Sequence, residues 1–449
     1  MSPLLEVPSE VLLFILSNFL EISEVLSMRQ TCREISQVTR DKCLWLGFLV
    51  RLRDRGDVPL PSTAHGPGVV DLASPVLESI VVSATHAADS WLRPRTLVPI
   101  LNRRHSDPIH GMNIFLDSWL LIVHQDGLVR LWDIREQRDG LLQQRGCCAT
   151  LNKRVPGVLW RSYEALLIPG STQILLALSS TSGEASVLFE TVLYQIDIGT
   201  SDFYKEFNLL RAYPYPIPRT IRAIDPGHHL LILSSSMHTM DVICWDDALE
   251  NSATIVMDVD VDDAELYNEI LALRYFGSHY LVVRTHSIEL HNTRSRPRTR
   301  PLKHRLPFPL IERTMSVSEP TTVSSDTSER RITMNALAYD GHSLACYSIY
   351  IVLPDATVTD VHPAMDVTLI GEARPAPPPG QLGNALERSR WFVSGHALGP
   401  QAMRAMWVER GSAKMARHIR LCSLNRHSAW HDMNTAMNAF VLSSYDLRG

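Results

Sequence analysis

The apolar residues near the start of the chain recur at intervals of three and four, which is the spacing of one face of an α-helix. Pro8 precedes this run, and a proline suits the first turn of a helix because its missing N–H is not needed there. The pattern predicts a helix whose apolar surface is wider than one neighbouring layer would cover. The apolar stripe comprises Leu12, Ile15, Leu16 and Phe19, and Val11 and Phe14 widen it.

This helix is expected to belong to a small module of three short helices. Fewer than fifty residues bury too little surface to be stable alone, so part of the apolar area is expected to contact another protein. The alternative is an ordinary helical cap packed on the next domain. A secretory signal peptide is excluded because no basic residues precede the run and because Glu6 and Glu10 interrupt it.

Several short elements of the first 45 residues together resemble an F-box. They are Val7-Pro8, the helical run 10–16, Glu24-Val25-Leu26, Cys32-Arg33 and the ending at 41–45. The resemblance implies that this module binds the Skp adaptor of an SCF-type cullin ubiquitin ligase, so that the rest of the chain would select the target. The residues that would contact Skp are Leu5, Val7, Pro8, Val11, Leu12, Ile15, Leu16, Leu26, Cys32 and Trp45.

A linker and a further helix follow the F-box region. Residues 54–70 are rich in Pro, Gly and Asp, a composition typical of a hinge. Ser74 is then a candidate N-cap with Pro75 at the first helical position. We expect this connecting helix to pack against the large domain and to orient it. Its apolar face would comprise Leu77, Ile80, Ala84, Ala87 and Trp91.

From about residue 100 the pattern changes to short apolar strands separated by turn residues. Residues 119–134 combine a strand, an Asp126-Gly127 turn and an alternating strand that ends at Trp132-Asp133, so they predict a β-hairpin. This hairpin resembles the end of a WD-type propeller blade. Weaker versions of the pattern follow at roughly the spacing of propeller repeats. They lie at 173–198, 229–246, 280–291, 343–353 and 405–424.

The predicted fold class is α+β multidomain: a three-helix F-box (1–50), a linker with a connecting helix (51–99), and a mainly-β domain (100–449), favoured as a β-propeller. The chain is similar to fungal F-box proteins with degenerate propellers. The repeat is degenerate because the Trp-Asp pair recurs only at Trp245-Asp246. A β-sandwich with an irregular sheet is the alternative. The last blade is expected to be incomplete or closed by a strand from the start of the domain.

A flexible insertion is predicted at residues 294–331. Its first part, 294–305, is strongly basic, and its second part, 314–331, is dense in Ser and Thr. Neither part has enough apolar residues to order itself, so both are expected to form one surface loop. The basic run could instead be a nuclear-localisation signal or a patch for an acidic partner.

Composition limits the classes of function. The chain has 449 residues and a net charge of −5, so it has room for two or three domains and no overall attraction to nucleic acid or to a membrane surface. Its seven cysteines form no C-x-x-C pair, which favours a reduced intracellular protein, in the cytoplasm, the nucleus or both. No apolar run reaches the length of a membrane span.

The sequence contains no P-loop, dinucleotide fingerprint, nucleophile elbow or zincin motif. We therefore expect no enzymatic activity, no cofactor and no metal site. Two functions remain: a substrate receptor that binds Skp, and through it a cullin, together with an unknown target protein, or a Skp-binding scaffold or trafficking protein without a degradation role. The target-binding residues are unknown. Propeller receptors that bind phosphorylated targets place several arginines on one face. The sequence does not decide which of its arginines would meet on such a face. The candidates are Arg161, Arg219, Arg222, Arg274 and Arg284.

Overall fold

The computed structural model describes residues 7–55, 58, 60, 67–91, 108–116, 118–134, 147–154, 158–182, 189–200, 202, 204–236, 239–246, 253–256, 268–276, 279–292, 301–310, 315–318, 320–323, 329–354, 363–375, 391–399, 404–411, 417–424 and 440–447.

 These ranges contain five α-helices, one 3-10 helix and 25 β-strands. The chain forms two compact units, residues 1–98 with 313–449 and residues 99–312.

The N-terminal helices pack around one apolar core. Four helices form where three were predicted, because the segment after α2 (Ile22–Arg29) contains the short additional helix α3 (Arg33–Val38). The core is centred on fully buried side chains such as Leu16, Trp45 and Phe48. The other helices are α1 (Ser9–Phe19), α4 (Lys42–Arg55) and α5 (Ser74–Trp91), with a 3-10 turn at Pro67–Asp71.

Helix α5 belongs to this helical core. Its residues Leu77, Val81 and Ala84 are buried in the same cluster as Leu16 and Trp45. The expectation that the buried face of α5 packs against the β region is therefore wrong. The apolar pattern of α5 predicted which side would be buried but not which partner would cover it. Of the other predicted face residues, Ile80 is half-buried, Ala87 is exposed, and the side chain of Trp91 lies outside the described residues.

Ser74 begins α5 but does not cap it. The carbonyl of Ala73 accepts the first helical hydrogen bonds, from the N–H groups of Val76 at 2.9 Å and Leu77 at 3.1 Å. The Ser74 hydroxyl instead donates to the carbonyl of Arg40 at 2.6 Å. The serine thus ties the start of α5 to the turn between α3 and α4.

Residues 99–312 contain four antiparallel sheets, each built from four strands in chain order. The predicted hairpin is confirmed, since β2 pairs with β3 from Trp119↔Asp133 to Val123↔Val129. The strands are β1 (Ile109–Phe115), β2 (Trp119–His124), β3 (Leu128–Asp133), β4 (Cys147–Asn152), β5 (Val158–Leu167), β6 (Gln173–Ser182), β7 (Phe189–Asp197), β8 (Asn208–Tyr215), β9 (Thr220–Asp225), β10 (Leu230–Ser234), β11 (Thr239–Cys244), β12 (Ala253–Val256), β13 (Ile270–Tyr275), β14 (His279–Arg284), β15 (Ser287–Asn292) and β16 (Leu302–Arg305).

Two further sheets lie in the other unit. In the fifth sheet, β17 and β18 both pair with one edge of β19, and β20 and β21 follow on its other side. The sixth sheet consists of four strands that pair in chain order. Among the described strands, the last sheet has four strands, and none of them comes from the start of the β region. The expectation that the last blade is incomplete or closed by such a strand is therefore wrong. The strands are β17 (Met315–Val317), β18 (Thr321–Val323), β19 (Glu329–Tyr339), β20 (Leu344–Pro354), β21 (Ala364–Ala373), β22 (Trp391–Leu398), β23 (Arg404–Gly411), β24 (Arg417–Leu424) and β25 (Phe440–Leu447).

Apolar clusters join successive sheets within each unit. One cluster packs the first sheet on the second, and two others pack the second on the third and the third on the fourth. A fourth cluster joins the fifth and sixth sheets. A sheet that buries both faces on neighbouring sheets is a propeller blade, whereas the two sheets of a sandwich bury one face each. The mainly-β region is therefore a six-bladed propeller.

The predicted insertion at 294–331 is not one continuous loop. Residues 302–305 form β16, which pairs with β15 from Ser287↔Arg305 to Leu290↔Leu302. Strands β17 and β18 also lie inside the predicted range and pair with β19. Cross-strand pairing orders these short segments although their own apolar content is low. Residues 293–300, which carry four of the arginines, lie outside the described residues.

Candidate functional site

The apolar side chains of helix α1 divide into a buried face and an adjoining exposed face. Leu12 and Leu16 are 4% and 0% exposed and belong to the helical core. The second face consists of residues that remain in contact with solvent, which is an unusual arrangement for large apolar side chains on one short helix. We call this second face the α1 surface, and it comprises Pro8, Val11 (46% exposed), Phe14 (60%), Ile15 (37%) and Phe19 (71%).

The ten residues predicted to contact Skp divide between core and surface. Leu12, Leu16 and Trp45 are core residues, so they support the fold and do not lie on the surface. Pro8, Val11 and Ile15 are exposed. The remaining four comprise the half-buried Val7, Leu26 and Cys32, and Leu5, which lies outside the described residues.

The predicted contact set lacks two aromatic residues of the α1 surface. Phe14 and Phe19 face one another edge to face, with ring centroids 6.1 Å apart. Phe14 follows Val11 by three positions and Phe19 follows Ile15 by four, so helical spacing already places them beside predicted contact residues. The helical spacing alone could therefore have identified Phe14 and Phe19 as contact residues. The sequence does not show, however, which side of the apolar stripe faces the core.

Arg51 fixes the end of α1. Its guanidinium donates to the carbonyls of Ser17 at 2.9 Å and Leu20 at 2.8 Å, and it lies over the ring of Phe48 at 4.7 Å. The last carbonyls of a helix have no partners within the helix and carry the negative end of its dipole, so a cation there is favourable. Arg51 thus holds α1 on α4 and leaves the α1 surface turned outward.

A second arginine joins the remaining helices. Arg29 donates to the hydroxyl of Thr39 at 3.0 Å and to its carbonyl at 2.8 Å, and it lies 5.4 Å from the ring centre of Trp45. The indole N–H of Trp45 donates to the same carbonyl at 2.9 Å. Arg29 also pairs with Glu78 on α5. The α1 surface therefore rests on a helical domain that is cross-linked by polar contacts.

The β region offers arginines that are already compensated by carboxylates. Arg219 lies 3.0 Å from Asp241, Arg222 lies 3.4 Å from Glu269, and the buried Arg284 lies 3.0 Å from Glu289. Charges paired in this way are not arranged to receive a phosphate group. Of the other two arginines considered, Arg161 is exposed and Arg274 is half-buried.

The half-buried Tyr163 ties the second sheet to the first. The hydroxyl of Tyr163 on β5 donates to the side-chain oxygen of Asn113 on β1 at 2.9 Å. Burial and the neighbouring charge of Glu164 raise the pKa of Tyr163 to about 12, so it remains a donor. Burial also raises the pKa of Glu164, against the opposing charge of Arg274. In the described ranges, no group of three or more His, Cys, Asp or Glu residues could hold a metal ion.

Comparisons with known proteins agree with the geometry at the N-terminus. Residues 4–49 match the F-box-like family. No curated protein matches the chain.

In the part of the chain that the structure describes, no helix has both the length and the apolarity to cross a membrane.

Two solved structures are similar to this chain at low sequence identity. The WD40 domain of SCAP from fission yeast is 7% identical, with a TM-score of 0.41, and the match covers 72% of this chain and 73% of that chain. BamB from Moraxella catarrhalis is 9% identical, with a TM-score of 0.32, and the match covers 67% and 82%. These scores are too low to carry an argument, and the fold assignment rests on the sheets themselves. The chain thus consists of an F-box-like domain at residues 4–49 within its helical region, followed by a six-bladed β-propeller.

Proposed function

We propose that this protein is the substrate-recognition subunit of an SCF-type cullin ubiquitin ligase. F-box domains generally bind Skp-type adaptors, and propellers generally bind protein targets. The observation that carries the proposal is the division of α1 into a buried face, with Leu12 and Leu16, and an exposed apolar face, with Val11 and Phe14. An exposed apolar face on an F-box-like domain is explained if an adaptor covers it.

The α1 surface has the chemistry of a protein contact. Two aromatic rings and two β-branched side chains offer a large apolar area, and aromatic residues are frequent energetic anchors of interfaces. Arg51 and the helical core hold the surface in place, so little ordering is required on binding. In this proposal the adaptor contacts Pro8, Val11, Phe14, Ile15 and Phe19, while Leu12, Leu16 and Trp45 support them from within.

The propeller captures the target protein in this proposal, and the chain carries out no chemistry of its own. It would require no cofactor, because ubiquitin transfer takes place on other subunits of the ligase. The protein would act in the cytoplasm, the nucleus or both. The residues that bind the target are not assigned by the F-box-like match, which covers only residues 4–49.

Affinity capture from cells tests this role. The intact chain should recover a Skp adaptor, a cullin and one or more further proteins. The variant V11D/I15D should lose the adaptor and cullin but keep the further proteins, whose half-lives should lengthen. As a matched control, S83D/A87D adds two charges to exposed positions of α5 and should behave like the unmodified chain.

The same experiment separates the receptor from a Skp-binding scaffold or trafficking protein. A scaffold would recover Skp without a cullin, or would bind partners whose half-lives do not change in V11D/I15D. Either result would overturn the degradation role. Retention of Skp by V11D/I15D would overturn the assignment of the α1 surface.

A further inference from the structure

The segment between β7 and β8 crosses from the second sheet to the outermost strand of the first. The backbone N–H of Lys205 donates to the carbonyl of Cys148 on β4 at 2.8 Å. The ring of Phe207 packs against the cluster that the two sheets share, and it meets the ring of Tyr194 edge to face with centroids 6.4 Å apart. We call residues 198–207 the strap, because these contacts fasten the segment to the first two sheets.

The one basic side chain of the strap is turned inward. Lys205 is 7% exposed, and its ammonium group donates to the carbonyl and hydroxyl oxygens of Thr200, both at 2.6 Å. The same ammonium group lies 5.8 Å from the ring centre of Trp119 on β2. Lys205 therefore anchors the strap and does not present its positive charge to solvent.

The charge of Lys205 is matched by Asp197 at the end of β7. The Asp197 carboxylate accepts hydrogen bonds from the N–H of Gly199 and the hydroxyl of Thr172, each at 2.8 Å. These hydrogen bonds hold the pKa of Asp197 below its ordinary value, and the charge of Lys205 acts in the same direction. The positive charge of the strap is thus accounted for by a carboxylate that lies outside it.

Three alternate residues of the strap are exposed: Asp202, Tyr204 and Glu206. Tyr204 is 78% exposed, and no other large apolar side chain in the described ranges is as exposed. The carboxylates of Asp202 and Glu206 have no hydrogen bond or ion pair with the described part of the chain. Two uncompensated negative charges therefore lie on either side of an exposed aromatic ring.

An exposed aromatic ring on an anchored segment suits a protein contact, because tyrosine is a frequent anchor of interfaces and little ordering is required on binding. The face of a tyrosine ring also attracts cations, arginine above all. A single exposed ion pair contributes little to binding, so the ring and the two carboxylates have to act together. Alternate side chains of an extended partner lie on one side of its backbone and match the alternation of the strap.

We propose that Asp202, Tyr204 and Glu206 form a docking surface for an arginine-containing basic segment of a protein partner. We call these three residues the strap surface. One guanidinium group would stack on the ring of Tyr204, and neighbouring ones would pair with the carboxylates. The identification of this partner as the target rests on the proposed receptor function, whereas its basic chemistry follows from the strap surface itself.

Binding of a fluorescent peptide with arginine at alternate positions tests the strap surface on the full chain. The peptide should bind, and rising salt should weaken it because exposed charges are screened. D202N/E206Q should weaken binding about tenfold and reduce its salt dependence. Y204A should weaken binding about fivefold and keep the salt dependence, whereas Y204F should bind like the unmodified chain because it retains the ring.

Matched controls separate the strap surface from a general attraction of basic peptides to an acidic chain. E34Q/D89N removes two exposed carboxylates from the helical region, and F308A removes a ring that is 60% exposed. Neither should alter peptide binding. An equal loss in E34Q/D89N and D202N/E206Q, or unchanged binding by D202N/E206Q and Y204A, would overturn the proposal.

A citrulline version of the peptide has the shape of arginine without the charge, and it should not bind. Equal binding of the two peptides would overturn the basic chemistry of the partner. A second copy of this chain is the rival occupant, because arginines alternate at positions 294, 296, 298 and 300. Self-association in sedimentation that D202N/E206Q abolishes would overturn the assignment to a separate protein.

The same samples distinguish this proposal from the adaptor proposal. V11D/I15D should lose Skp and still bind the arginine peptide, whereas D202N/E206Q and Y204A should still bind Skp. All the strap variants should melt like the unmodified chain, because the replaced side chains are exposed. Lower melting temperatures of Y204A and D202N/E206Q with unchanged peptide binding would mean that these residues serve the fold, and would overturn their role in docking.

Discussion

Arg29 and Glu78 form a two-point ion pair between α2 and α5. Nη1 of Arg29 lies 2.5 Å from Oε1 of Glu78, and Nη2 lies 3.2 Å from Oε2. The two residues are 49 positions apart, and their side chains are only 19% and 25% exposed. The pair therefore makes α5 part of the helical domain that carries the α1 surface.

We expect R29A to lower the free energy of unfolding of the helical domain by about 2–3 kcal/mol, because hydrogen bonds to charged groups contribute more than neutral ones. E78A should have a smaller effect, because Arg29 keeps its contacts with Thr39 and Trp45. Hydrogen exchange of the α2 and α5 amides measures both changes. Equal exchange in R29A and the unmodified chain would contradict the structural role of the pair.

The two faces of α1 predict opposite responses to truncation. L16A should destabilise the helical domain by about 2–5 kcal/mol, because it leaves a cavity in the core. V11A should change stability by no more than about 0.5 kcal/mol, because its side chain is exposed. Urea unfolding followed by helical circular dichroism measures the difference. Similar losses in the two variants would mean that Val11 also belongs to the core.

The turn between β2 and β3 depends on Gly127. Its φ is +92°, where residues with side chains are strained, and an added Cβ would lie 2.7 Å from the carbonyl oxygen of Lys153. G127A should lower the free energy of unfolding of the propeller by at least about 1–3 kcal/mol, the cost of a strained backbone conformation. Gly170 is the matched control, since its φ is +73° but nothing lies within 4 Å of an added Cβ.

Comparison of G127A with G170A separates backbone strain from steric overlap. Both variants carry the strain, and only G127A carries the overlap, so G127A should have the lower melting temperature. Equal melting temperatures would show that the turn relaxes enough to accommodate the new methyl group.

Glu289 should link the stability of the propeller to acid. Burial alone would raise its pKa, but the hydrogen bond from His291, the charge of Arg284 and the hydrogen bond from Ser287 outweigh burial, so the pKa lies below its ordinary value. A lowered pKa in the folded state stabilises the protein above the unfolded pKa of about 4.3. That stability is lost as the pH falls through the folded pKa.

We expect E289Q to lower stability at neutral pH by about 3–5 kcal/mol, because it leaves Arg284 buried without its counterion. The difference in melting temperature between E289Q and the unmodified chain should narrow as the pH falls below about 4. A constant difference across this pH range would contradict the role of the carboxylate charge.

The sequence predicted local elements better than their partners. The hairpin at 119–134 was predictable because alternation, the Asp126-Gly127 turn and the flanking strands all favour the same structure. Helix α5 was also predictable, but its packing on the F-box helices was not. The Arg29–Glu78 pair spans two helices, and no local pattern records such a contact.

The candidate site shows the same limit at the level of single residues. Val11 and Leu12 are adjacent in an apolar run, and only the folded helix reveals that one is exposed and the other buried. A charge at Leu16 would therefore disrupt the core, whereas a charge at Ile15 tests the surface. Each of the six strand patterns that the sequence shows between residues 119 and 424 falls in one of the six sheets, although Trp-Asp pairs occur only at 132–133 and 245–246.

Direct binding of the purified chain to a Skp adaptor tests the central claim that the α1 surface is the adaptor contact. V11D/I15D should reduce the affinity at least about a hundredfold, because a buried interface does not accept uncompensated charges. S83D/A87D should bind like the unmodified chain, and circular dichroism should show that both variants are folded. Unchanged affinity of folded V11D/I15D would contradict the claim.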